Sequence, residues 1–138
     1  MNEDQHLARR LLDGSQYTCV LCRAGAVHTS DARGVRPLLE LVGGDWAGYS
    51  AADKVVGKAT AILNVLLGVR AVDAGVASEA AGRILCAHGI AITARESVPA
   101  IFNRTRTGFC PMETAVRDIE DPAEALLAIR ETYDKLHR

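Results

Sequence analysis

The chain has 138 residues and a mass of 14.7 kDa, the size of one compact domain over residues 1–138. Sixteen basic against seventeen acidic residues leave a net charge of −1, which argues against a general nucleic-acid or membrane-surface binder. Apolar residues make up 49% and aromatic residues only 4%, so the core is read as small aliphatic side chains in close backbone contact.

Residues 3–12 read as an amphipathic helix with Leu7, Leu11 and Leu12 on one side and Gly14 ending it. Residues 1–10 lack the apolar centre of a signal peptide, and no run of about 18 apolar residues occurs anywhere. The reading is a cytoplasmic protein with no membrane partner, its four cysteines reduced. Tyr17 to Cys22 and Ala26 to Ser30 are two strands around a Gly turn, a hairpin. Gly34 to Val42, with Pro37 near its start, predicts a short helix stopped by Gly43-Gly44. Ser50 to Leu67 predicts the main buried helix, with Ser50 as N-cap, Asp53 at capping-box spacing and apolar residues on nearly every side. Val69 to Ala77 is an apolar internal strand. Ser78 caps a helix that runs to His88-Gly89, and Ile90 to Ala94 is the next strand. Pro99, Ile101 and Phe102 lie in a short helical or irregular piece before a polar loop, 103–108. Cys110-Pro111 and Asp121-Pro122 each open a helix.

A hairpin followed by two strand–helix alternations predicts an α/β protein with a mixed sheet, parallel internal strands and helices on both faces. Ligands in such sheets bind beyond the carboxyl ends of the strands, where helices begin. Three segments stand out: Ser50–Lys58, Ser78–Glu79 and Asn103–Glu113. In the last, Arg104 and Arg106 sit in a Thr- and Gly-rich loop, and Gly108 allows close backbone approach to a phosphate or carboxylate. The alternative is a solvated loop with ordinary capping. Cys110, at a helix start beside arginines, is a candidate nucleophile or sulfur carrier; otherwise it fills a small space.

Asp53 is explained by capping alone, whereas Lys54 and Lys58 on so apolar a helix either snorkel to the surface or point into a pocket. Gly57 between them suggests close packing or ligand approach. Glu79 satisfies a helix dipole, or meets Lys54, or works as an acid or base. Cys19 and Cys22 have redox spacing, but on a strand they face opposite sides and cannot join, so core packing explains them. His6, His28 and His137 carry no ligand spacing, and His88 lies near a helix end.

Two stretches, Ser50-Ala-Ala-Asp-Lys-Val-Val-Gly-Lys-Ala59 and Thr107-Gly-Phe-Cys-Pro-Met-Glu113, resemble one small bacterial family, a domain of unknown function. Gly34-Val-Arg-Pro-Leu-Leu-Glu-Leu41 and Asn103-Arg104 extend the likeness, which spans roughly Leu7 to Ile129. The resemblance implies the fold of cytidine deaminases: a three-layer α-β-α sandwich on a mixed five-stranded sheet, with a site where the helices near Ser50 and Ser78 converge. Zinc deaminases place a His or Cys, one spacer and a Glu at the first helix, and Pro-Cys, two spacers and Cys at the second. Here those positions read Ser50-Ala-Ala-Asp-Lys54 and Ser78-Glu79-Ala80-Ala81, with no thiol or imidazole. Zinc-dependent deamination is therefore not expected, and no cofactor is assigned. Metal-free members of the wider superfamily resemble formyl transferases and sulfur-transfer accessory proteins, whose own motifs are not found here.

The leading expectation is a binding domain for a small anionic or nucleotide-like metabolite. Ser50, Asp53, Lys54, Lys58, Ser78 and Glu79 would form one wall, with Asn103, Arg104, Thr107, Gly108 and the helix end at Cys110 forming the other. A second expectation is a cysteine-dependent transferase in which Cys110 is the nucleophile and Glu113 or Glu79 moves protons. A third is a homo-oligomeric interaction module without catalysis.

Overall fold

The first helix starts on a reciprocal cap. The Asn2 side chain accepts from the Gln5 amide while the Gln5 side chain accepts from the Asn2 amide, which begins α1 (Glu3–Asp13). The chain then forms a hairpin of β1 (Cys19–Arg23) and β2 (Ala26–Ser30). Ala24 and Gly25 both take positive φ, as a two-residue turn between right-twisted strands requires. There follow α2 (Arg36–Leu39), β3 (Ser50–Val56), α3 (Lys58–Leu67), β4 (Ala71–Ser78), α4 (Glu79–Ala87), β5 (Ala91–Val98), α5 (Pro111–Val116) and α6 (Pro122–Leu136). This computed structural model describes residues 2–102, 108 and 110–137. Ser78 and Asp121 cap α4 and α6 through side-chain bonds to the amides of Ala81 and Glu124, at the spacing expected.

The five strands lie in the order β2-β1-β3-β4-β5, with β1 antiparallel to both neighbours and β3, β4 and β5 parallel. One face of the sheet carries α1, whose Ala8 and Leu12 bury Val20, Cys22 and Ala52. The other face carries α3 and α4, which pack on each other, and α5 and α6 lie against α3. This second side holds the larger core, with Ile62, Leu63, Leu85, Val116 and Ile129 fully buried. Three layers result. Among the described residues no helix is long and apolar enough to cross a membrane.

The stretch from Ser50 corrects the sequence reading. Residues 50–56 are not the first turns of a helix but the central strand β3, and α3 starts only after Gly57. Ser50 caps nothing. It is buried at the amino end of the strand, where its hydroxyl exchanges hydrogen bonds with the Asn2 side-chain amide at 3.2 and 3.3 Å. A strand of this composition survives because its alanines leave room for a helix on each face, Ala51 under the α3 side and Ala52 under α1. Ser50 thus sits about 20 Å from the end of the strand where ligands would bind.

Cys19 and Cys22 lie on opposite faces of β1, one in each core, at 1% and 0% exposure. All four cysteines are free, with Cys86 exposed and Cys110 half-buried. Titration with a thiol reagent is expected to label Cys86 and Cys110 in the native protein, and Cys19 and Cys22 only in denaturant. Labelling of all four at one fast rate under native conditions would overturn this burial.

Candidate functional site

The carboxyl ends of β3, β4 and β5 all lie on one edge of the sheet. There α3 begins without a cap of its own: its N-cap is Gly57, and no acid occupies its first turn. The missing groups come from a distant part of the chain. Glu113 on α5 accepts from the backbone amides of Lys58 at 2.8 Å and Ala59 at 3.1 Å, so its carboxylate satisfies two of the orphan donors and faces the positive end of the helix. A Cβ on Gly57 would collide with Glu113 Oε1 and lie 2.5 Å from its Cδ, which explains the glycine. Glu113 is therefore the cap of α3.

Lys58 is buried, and its ammonium donates to the Arg117 carbonyl at 3.1 Å and to Glu120 at 3.0 Å. It ties α3 to the α5–α6 segment. Asp53 and Lys54 are neighbours on a strand, so their side chains leave the sheet on opposite faces. Asp53 takes the α3 side and pairs in register with Cys19. Burial pushes the Asp53 carboxyl up to about 7, against the lowering effect of the Val55 and Lys54 amides and the Cys19 thiol. The same burial, with the Asp53 charge, holds the Cys19 thiol well above its ordinary range, so Cys19 stays neutral.

Two clefts open on this edge and share Ile101 and Glu113. The first, about 360 Å³, has Asp53, Thr60, Cys110 and Arg33 among an apolar lining that includes Phe102 and Met112. The second, about 270 Å³, is more polar and carries Ser78, Arg83, Arg117 and Glu120. The expected single wall is thus divided. Asp53, Cys110 and Glu113 meet in the first cleft, Lys58 and Ser78 border the second, and Lys54 borders the first but also a hollow on the other face of the sheet. Two residues leave the wall. Ser50 is at the far end of β3, and Glu79, exposed in the first turn of α4, lines neither cleft and does not meet Lys54. Gly108 is half-buried outside both clefts, while Asn103, Arg104, Arg106 and Thr107 lie outside the described residues.

Sequence reasoning missed Arg83. It stands three residues after Ala80 on α4, and the two line one cleft, a helical spacing that could have flagged it. It also missed Arg33 and Thr18, brought to the first cleft by loops that no local pattern places.

An open α/β sheet with clefts at its carboxyl edge defines the class. Residues 7–133 match the family TM1506, a domain of unknown function (DUF1893), and the chain belongs to that family. The fold is also similar to the crystal structure, at 2.70 Å resolution, of the DUF1893 family protein TM1506 from Thermotoga maritima. The TM-score is 0.84 at 22% identity, covering 98% of this chain and 92% of the other. No curated protein matches the chain.

A zinc ion of the deaminase kind does not fit these residues. With α3 starting at Lys58-Ala59-Thr60 and α4 at Glu79-Ala80-Ala81, neither start offers an imidazole or thiol. Among the described residues no three His, Cys, Asp or Glu side chains are grouped to hold a metal.

Proposed function

We propose that the chain is a metal-free cytoplasmic domain of the cytidine-deaminase-like kind that binds a small anionic, nucleotide-like metabolite across the two edge clefts. The observation that carries the reading is their adjacency: a largely apolar cleft with Asp53 in its lining opens beside a more polar one bearing Arg83, with Glu113 and Ile101 between. A flat ring fits the first, against Phe102 and Met112, and an anionic group fits the second, at Arg83 and the start of α4. Glu113 blocks the start of α3 to any ligand anion, which directs the anion toward α4. Calorimetry against nucleotides, nucleosides and sugar phosphates tests this. Micromolar binding that Arg83→Ala weakens about tenfold, worth about 1.4 kcal/mol, is expected. Binding indifferent to Arg83→Ala and Asp53→Asn, or no binding across the panel, overturns the reading.

A second reading is favoured by one observation, that the Cys110 thiol lines the same cleft as Asp53. Cys110 would then be a nucleophile or sulfur carrier acting on the bound metabolite. Cys110→Ser separates the two: it leaves reversible binding intact under the first reading and abolishes a covalent, mass-detectable adduct under the second.

A further inference from the structure

The hollow on the other face of the sheet shares only Lys54 with those clefts, and its construction points to a different ligand. The register sets Gly75 of β4 between Lys54 of β3 and Arg95 of β5, one residue from each of the three parallel strands in a row. Gly75 packs against the Lys54 backbone, where a Cβ would lie 2.6 Å from the carbonyl oxygen, and a space of about 270 Å³ is lined by the two cations and by Asp13 and Ser15 where α1 finishes. Asp73, two residues before Gly75 and so on the same face, forms its acidic side.

Asp73 is 2% exposed, and its Oδ1 has no hydrogen-bond donor among the described residues. Its other oxygen faces Arg9 Nε at 3.6 Å, an ion pair longer than a hydrogen bond. A buried carboxylate oxygen without a donor is unfavourable, so a ligand that brings a donor is favoured there. The donors on the other side are in surplus. The Lys54 ammonium has no ion pair among the described residues, and Arg95, paired with Asp13, keeps further N–H groups. Three cations, Arg9, Lys54 and Arg95, surround two carboxylates, Asp13 and Asp73. That balance disfavours a metal ion and leaves cationic donors for a carboxylate.

We infer that this hollow is a binding site for a small zwitterion of the free amino-acid class, its ammonium donating to Asp73 and its carboxylate held between Lys54 and Arg95. An anion with no donor of its own would satisfy the cations but leave Asp73 Oδ1 without a donor, and a simple amine would do the reverse. A ligand carrying an ammonium and a carboxylate a few bonds apart answers both. The inference does not rest on the edge-cleft reading, because Asp73 and Arg95 border neither of those clefts.

The test is calorimetric titration of the full chain with the twenty free amino acids, their N-acetyl derivatives, the matching 2-hydroxy acids and simple alkylamines. At least one free amino acid is expected to bind saturably, with its N-acetyl, hydroxy and decarboxylated counterparts at least about tenfold weaker. Lys54→Met and Asp73→Asn are each expected to weaken that binding at least about tenfold, and Arg83→Ala to leave it unchanged. The Lys54 side chain makes no hydrogen bond or ion pair among the described residues, so Lys54→Met keeps the test decisive even if Asp73→Asn fails to fold. The inference is overturned if no amino acid binds at millimolar concentration. It is equally overturned if binding survives Lys54→Met, or if the N-acetyl and hydroxy analogues bind as well as the parent.

Discussion

Gly57→Ala is expected to destabilise the protein by about 2–4 kcal/mol, although nothing in the backbone forbids it. Gly57 has φ −93° and ψ −175°, an extended conformation that alanine adopts freely. In the unfolded chain alanine is the less entropic residue, so a strain-free exchange should stabilise by about 0.4–1 kcal/mol. The loss comes entirely from Glu113, whose carboxylate occupies the space the new methyl would need. Its side chain can swing away, but only by releasing the Lys58 and Ala59 amides, which then stand unsatisfied at the start of a buried helix. Glu113→Ala should cost a similar amount by the same route. The two losses should not add: the double variant is expected within about 1 kcal/mol of the worse single one, because the second change removes what the first has already broken. Urea denaturation of the four proteins measures the cycle. Full additivity, or a Gly57→Ala variant as stable as the parent, refutes the cap.

That cap also shows where legibility in the sequence ends. The starts of α4 and α6 were readable because Ser78 and Asp121 bond amides three residues along the same chain. So was the placing of Cys19 and Cys22 on opposite faces, which needs only the period of a strand. The helix start at Lys58 was not readable, because its capping group is 55 residues away and its N-cap has no side chain. With no local signal at Gly57, the eye moves back to Ser50 and Asp53, whose spacing imitates a capping box on residues that are a strand. The composition of Ser50–Val56 deepens the error. Alanine, aspartate and lysine are poor strand formers, and the strand exists because neighbours on both sides complete its ladder. One misplaced boundary then moved Ser50 to the wrong end of the strand and set Asp53 and Lys54 on one wall when they face opposite ways. Asp53, Cys110 and Glu113 line one cleft at the carboxyl edge, the edge that the alternation of strands and helices already singles out.

Asp53→Asn is expected to stabilise the protein above neutral pH and to do so by less than half as much at pH 5. The sign follows from burial, which raises the Asp53 carboxyl from 3.8 to about 7 in the folded protein. Between these values the native state holds a proton that the unfolded chain has released, so stability falls as pH rises through that window and levels off above about 7. At about 1.4 kcal/mol per pH unit the full penalty is on the order of 4 kcal/mol, and solvent at the open side of the cleft reduces the expected gain to about 2 kcal/mol at pH 8. Asparagine keeps an acceptor for the Val55 amide and carries no charge to desolvate. Cys19 does not confuse the result, because its thiol stays protonated across the whole range. Asp73 is also raised by burial, but it is present in both proteins and cancels in their difference. Guanidinium denaturation at pH 5 and pH 8 measures it, and a variant that loses stability at pH 8 contradicts the assignment. A carboxylate that costs the fold this much sits badly in a purely structural role, since an amide of the same shape would serve better. If Asp53 is kept for its proton in the cleft, Asp53→Asn should raise stability and lower ligand affinity together, an opposed pair of changes that a packing residue would not produce.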